Sequence, residues 1–274
     1  MTVLSLDDHN GIFYRYQPPR SGQGNTFVFF NALTGDTSMW EGCIGEMLRS
    51  AGHGTLSFNF RGQAESAFCA DLALNAELII DDCRRLLLEL QPPRVILVGL
   101  SIGGLFAAQA WLRGVEDVAV EGLVLINTLR KDGPRLQWIN AALVRCAEVG
   151  GLQLFRDLYA PLLFNEDWLH ANRGQFLTPE PYAPLERSSG HYNLLRHSAS
   201  ADWDLSYEQL ALPVLIITGL QDHVFLEAAA VEELSQRLPS ARRIDMEDAA
   251  HILPAERPQA CAEALLQFAA EDCR

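Results

Sequence analysis

The chain has 274 residues, 49% hydrophobic and 20% charged, with a formal net charge of −14. That balance fits one large α/β domain with an insertion, or two domains. It argues against a nucleic-acid partner and against an anionic membrane surface, because both call for a basic face. No apolar run reaches the ~20 residues of a membrane span. Met1 to His9 carries neither the basic start nor the apolar core of an export signal. The six cysteines are scattered with no Cys-x-x-Cys pair, a pattern of free thiols in a reducing compartment, so a cytoplasmic location is expected.

Leu4–Leu6 and Ile12–Tyr16 flank Asp8-His9-Asn10-Gly11 and read as an opening hairpin. Thr26–Phe30 is an apolar strand that runs into the loop Asn31–Asp36. A helix over Trp40–Ala51 stops at Gly52, and the next strand, Gly54–Phe60, leads into Arg61–Ser66. Leu72–Leu90 reads as a long helix stopped by Pro92-Pro93. Val95–Val98 is a buried strand, Leu105–Leu112 a helix and Gly122–Asn127 a strand. From Thr128 to about Asp202 the rhythm changes to helical stretches, Leu136–Val149 and Leu152–Phe164, joined by Gly and Pro clusters. Pro213–Gly219 resumes the strands, followed by a helix over Val224–Leu238, a strand over Ala241–Met246 and a helix over Pro258–Ala270. Strands alternating with helices predict an α/β fold, a mostly parallel sheet covered by helices on both faces. The expected core is 1–128 plus 203–274, with a helical cap at 129–202.

Gly99-Leu100-Ser101-Ile102-Gly103 fits G-x-S-x-G between a strand and a helix, the setting of a nucleophile elbow. Side chains at Gly99 and Gly103 would collide with the neighbouring strand and helix. The turn lifts the Ser101 hydroxyl above the sheet and sets the Ile102 N–H at a helix N-terminus, where a developing oxyanion can be held. A serine hydroxyl needs a base, and the base needs an orienting carboxylate. In a sheet of this order the acid and then the histidine follow the serine. Asp222 stands after the strand ending at Gly219, and His251 after the last strand, both on the sheet edge that Ser101 shares. Rivals are His223 as base and Asp248 or Asp132 as acid, while His191 and His197 lie in the insertion. No metal-ligand spacing and no phosphate-binding loop appears, so neither metal nor cofactor is expected.

Taken together, these stretches resemble the α/β-hydrolase superfamily over residues 26–128 and 203–270. The resemblance implies a Ser101–His251–Asp222 triad. It puts Asn31-Ala32-Leu33-Thr34-Gly35 in the family's HGxxG place, with Asn31-Ala32 for His-Gly, and so implies an oxyanion hole of the Leu33 and Ile102 amides. Arg61–Ser66 occupies the family's RGxGxS place, a structural turn, with Ala64 for a glycine. Family members that open epoxides or cleave carbon–halogen bonds carry aspartate at the elbow; Ser101 points instead to acyl transfer to water. The expected activity is a serine hydrolase for a small to medium, largely apolar ester, thioester or lactone. Carbon–carbon bond hydrolysis, other chemistry on the same triad, or non-catalytic binding of a small molecule stand as alternatives. The partner is expected to be a small-molecule substrate, with monomer and homodimer both open. Aromatic and aliphatic residues of the insertion, among them Trp138, Phe155, Tyr159, Phe164 and Phe176, are candidates for an apolar pocket or for packing the insertion on itself and on the core. Trp40 is a candidate for the pocket, with core packing as the other reading.

Overall fold

The hairpin forms as read: β1 (Thr2–Ser5) pairs antiparallel with β2 (Gly11–Gln17) across the turn. The computed structural model describes residues 2–115, 117–198 and 201–273. The strands β3 (Thr26–Phe30), β4 (Gly54–Phe58), β5 (Val95–Leu100), β6 (Val120–Ile126), β7 (Val214–Gly219) and β8 (Ala241–Met246) complete one sheet in the order β1-β2-β4-β3-β5-β6-β7-β8. β2 pairs antiparallel with β4, and every pairing from β4 through β8 is parallel.

Alternation along the central strands separates two apolar layers. Val28, Phe30, Leu97 and Leu125 face one layer, while Phe27, Phe29, Val98 and Ile126 face the other. The first layer is closed by α3 (Ala76–Leu90), α4 (Ile102–Leu112) and α8 (Ala228–Gln236). The second is closed by α1 (Ser38–Glu41), α2 (Cys43–Ser50), α9 (Leu253–Glu256) and α10 (Pro258–Glu271). The doubly covered, mostly parallel sheet matches the sequence reading.

Three boundaries differ from it, each for a local reason. The helix expected from Leu72 starts at Ala76, because the Asn75 side chain accepts the Leu78 N–H and caps it there. The helix expected over Trp40–Ala51 divides at Gly42 into α1 and α2. The helix expected from Val224 begins only at Ala228, because Asp222 Oδ1 takes the Val224 and Phe225 N–H groups and turns that stretch aside.

The segment between β6 and β7 is helical: α5 (Pro134–Leu163), α6 (Glu166–Asn172) and α7 (Gly190–Ser198), with no strand among the described residues. α5 is interrupted at Gly151, whose φ of 68° breaks the helix between the two stretches read from the sequence. The C-terminal end of α5 reaches the carboxyl edge of the sheet. There the Leu162 carbonyl accepts the His223 N–H and the Leu163 carbonyl accepts those of His251 and Ile252.

Candidate active site

Ser101 sits between β5 and α4 with φ 57° and ψ −124°, a conformation L-residues rarely hold without support. The support is dense. The Ser101 N–H donates to the Ile126 carbonyl at 2.8 Å, and the Ser101 carbonyl accepts the Thr128 hydroxyl at 2.9 Å. A methyl group at Gly103 would meet the Phe30 and Asn31 carbonyl oxygens, and one at Gly99 would meet the Gly104 backbone. The two glycines let strand and helix close around the turn.

His251 Nδ1 lies 2.6 Å from Asp222 Oδ2, and both side chains are almost fully buried. An Nδ1–H donated to the carboxylate leaves Nε2 as the basic nitrogen. Burial pushes the Asp222 carboxyl up, but His251, the backbone N–H groups and Arg130 outweigh it. The net is a carboxyl below its ordinary range, ionised at neutral pH. The histidine loop is held from several sides. Asn127 Nδ2 donates to the Ala250 and His251 carbonyls, each at 2.9 Å, while its Oδ1 accepts the Gly219 N–H at 2.8 Å. Glu256 Oε2 accepts the Ala250 and Asn165 N–H groups, tying this loop to the junction of α5 and α6.

The Ser101 hydroxyl does not bond to His251; it accepts from Arg130 Nη2 at 3.0 Å. Arg130, four residues past β6, was not singled out in the sequence. Its Nη2 also donates to the Asn127 carbonyl at 2.8 Å, and its guanidinium carbon lies 4.5 Å from the Trp203 ring centre and 4.4 Å from that of Phe225. Burial pulls its pKa down to about 10 against the opposing pull of Asp222 and Tyr207, so it stays charged at neutral pH.

Leu33 and Ile102 both line the cavity beside Ser101, and neither backbone N–H has a hydrogen-bond partner among the described residues. Asn31, in the place of the family's histidine, donates to the Phe58 carbonyl and to Gln63 Oε1, and accepts from Trp40 Nε1 at 2.8 Å. Gln63, itself fully buried, donates to the Ala32 and Leu33 carbonyls at 2.8 and 3.0 Å. Those bonds turn the loop's carbonyls away from the site. The Arg61–Ser66 turn therefore supports the loop, through a glutamine the sequence did not mark.

The cavity over Ser101 holds about 310 Å³ and is walled mainly by apolar side chains, including Leu143, Leu152, Phe155, Leu163, Phe164 and Phe176 from the helical segment. Three expected pocket residues are elsewhere. Trp40 is fully buried, stacked on Phe29 at 4.6 Å, because α1 turns it into the core. Trp138 is 80% exposed on the outer side of α5. Tyr159 packs on Phe155 at 5.3 Å but does not line the cavity. Among the rivals, Asp132 and His223 are exposed, and Asp248 pairs with Arg257 at 2.7 Å. His191 and His197 do not line the cavity. Among the described residues no group of three or more His, Cys, Asp or Glu side chains is placed to hold a metal, and all six cysteines are free thiols. No helix of the described residues is long and apolar enough to cross a membrane.

Known proteins resemble the chain along nearly its whole length. A Mycobacterium tuberculosis (strain H37Rv) protein provisionally named non-heme bromoperoxidase BpoC is 26% identical over 259 residues, covering 90% of this chain and 95% of that one. The enol-lactonase from Burkholderia xenovorans LB400 superposes with a TM-score of 0.78 at 24% identity, covering 96% and 97% of the two chains. An esterase from Thermogutta terrifontis does so with a TM-score of 0.74 at 20% identity, covering 100% and 98%. At these identities the two structures establish the fold alone. The model of the alpha/beta hydrolase fold family matches residues 25–258, and the chain belongs to that family.

Proposed function

We infer that this protein is a serine hydrolase acting on a small, largely apolar ester, thioester or lactone through an acyl-enzyme. The observation that carries the reading is the buried His251–Asp222 pair, 2.6 Å apart, on the sheet edge that also holds Ser101 in its strained turn. Relatives described as an enol-lactonase and an esterase are consistent with it. In the resting state the Ser101 hydroxyl rests on Arg130. For reaction the hydroxyl must exchange Arg130 for His251 Nε2, and catalytic hydrogen bonds of this kind commonly form or tighten as substrate binds.

Ser101 Oγ then attacks the acyl carbonyl carbon while His251 Nε2 takes its proton and Asp222 stabilises the imidazolium. The Leu33 and Ile102 N–H groups donate to the oxyanion, each such donor contributing ~3–4 kcal/mol to catalysis. His251 returns the proton to the leaving group, and water releases the acid by the reverse sequence. The helical segment acts as a cap that excludes bulk water and supplies the apolar wall.

The test is labelling by a fluorophosphonate probe with the adduct located by peptide mass spectrometry, beside turnover of short p-nitrophenyl esters. Labelling at Ser101 is expected. Ser101→Ala is expected to lower turnover by about 10³-fold or more while keeping a native melting transition. Full turnover in folded Ser101→Ala would overturn the serine mechanism.

A further inference from the structure

The cavity is charged oppositely to the rest of the molecule. The chain carries 35 acidic against 21 basic side chains, yet the described cavity wall holds Arg130 and Arg156 and no aspartate or glutamate. Arg156 is exposed; Arg130 is 5% exposed and stands beside the nucleophile. A buried guanidinium is costly unless paired, and this one has no carboxylate within ion-pair distance among the described residues. Its bonds go to neutral acceptors: the Thr128 and Asn127 carbonyls and the Ser101 hydroxyl. Nη1 donates to none of the described residues. The guanidinium carbon lies over both the Trp203 and the Phe225 ring, so the group is held in place with donors to spare.

We propose that Arg130 binds a carboxylate and that the pocket takes an acyl substrate carrying its own acid group, with its carbon skeleton against Phe155, Phe164 and Phe176. For its chemistry this rests on the serine-hydrolase reading, whose substrate class it names. The 3.0 Å contact between Arg130 Nη2 and Ser101 Oγ puts that carboxylate within a few bonds of the reacting carbonyl. Half-esters and lactones of short dicarboxylic acids fit this spacing; a long fatty acyl chain does not supply the charge. The planar two-oxygen group matches the fork of a guanidinium, and one charge meets one buried cation. The arriving carboxylate also competes for Nη2, so the substrate releases the Ser101 hydroxyl to turn toward His251.

The first measurement is calorimetric titration of the wild-type protein with pentanoic acid and with pentanamide near pH 7.5. The acid is expected to bind about 10- to 100-fold more tightly, the range for hydrogen bonds to a charged partner. Arg130→Gln is expected to bring the ratio close to one, and Arg130→Lys to restore part of it. In parallel, the kcat/KM of mono-p-nitrophenyl glutarate is expected to exceed that of p-nitrophenyl pentanoate in the wild type, with the ratio collapsing in Arg130→Gln. Equal or undetectable binding of acid and amide by the wild type overturns the proposal, whatever the variants do. So does an Arg130→Gln protein that keeps the acid preference. Arg130-dependent acid binding without labelling at Ser101 supports the anion site and sinks the hydrolase reading. Labelling and neutral-ester turnover with no acid preference does the reverse.

Discussion

α4 and α5 both bear on the candidate site, and they are built on opposite plans. α4 spans eleven residues and buries eight of them, apolar on every side between the sheet and α3. α5 spans thirty residues and buries six. Its Trp138, Val149, Leu158 and Leu162 are 80%, 53%, 53% and 41% exposed. α4 begins just after a residue with unfavourable backbone angles, Ser101, and such angles persist only where the surroundings over-determine them. α5 must leave a chamber beneath it, so its packing is thin. The two plans meet at the histidine: Ser101 is set by sheet and α4, whereas the His251 N–H is held by the Leu163 carbonyl at the end of α5. A disturbance of the helical segment therefore reaches His251 through the end of α5 and Ser101 through Arg130, but leaves the backbone turn at Ser101 to the sheet and α4.

The largest effect is expected at the encased helix. Phe106 is fully buried and meets Phe60 edge-to-face at 5.5 Å. Phe106→Ala removes that ring and leaves a cavity behind the elbow, at a cost of about 3–5 kcal/mol. Urea denaturation followed by circular dichroism reads it directly. A loss below about 1 kcal/mol would mean that the layer collapses freely and that α4 is no rigid support for the turn at Ser101.

Gln63 gives an intermediate case, buried like α4 but polar. Gln63→Leu removes the donors to the Ala32 and Leu33 carbonyls and leaves the Phe60 N–H without its acceptor. A stability loss of about 1–3 kcal/mol is expected from that unpaired group. Freed carbonyls let the loop rotate, so kcat is expected to fall about 10- to 100-fold with KM little changed, because the oxyanion forms only after binding. Steady-state kinetics on a p-nitrophenyl ester, at a temperature where both proteins are folded, make the check. An unchanged kcat would remove the Leu33 amide from the oxyanion hole.

The same contrast explains what could be read from the chain. The elbow is legible because strand, Gly-x-Ser-x-Gly and helix are contiguous, so a local pattern carries the geometry. Asp222 and His251 are legible because each directly follows a recognisable strand, and chain order puts both at one sheet edge. Arg130 also follows a strand, but its meaning depends on Trp203 and Phe225, which the fold brings to it from far along the chain, one before β7 and one after it. Asn31 is similar: an amide replaces the family's histidine, and its partners Phe58 and Gln63 come from the next strand and turn. Trp40 takes the core place that was its other reading and Trp138 faces outward, because aromatic character does not state which side of a helix meets a cavity. In α5 the break at Gly151 also resets the helical phase, so one period cannot be carried along its length.

Trp138 supplies the smallest and most discriminating expectation. A tryptophan in the roof of an apolar chamber would be a natural substrate contact, and its removal would raise KM for larger acyl groups. At 80% exposure this one has little packing to lose, and alanine is the better helix former. Trp138→Ala is therefore expected to change stability by no more than about 0.5 kcal/mol and to leave ester kinetics as they were. Phe155→Ala, one of the side chains that wall the cavity, is the matched control and should raise KM for the same esters. If Trp138→Ala raised KM as much as Phe155→Ala, the outer side of α5 would have to turn inward when substrate binds. The thin packing of that helix would then be the means of its movement rather than the cost of leaving room beneath it.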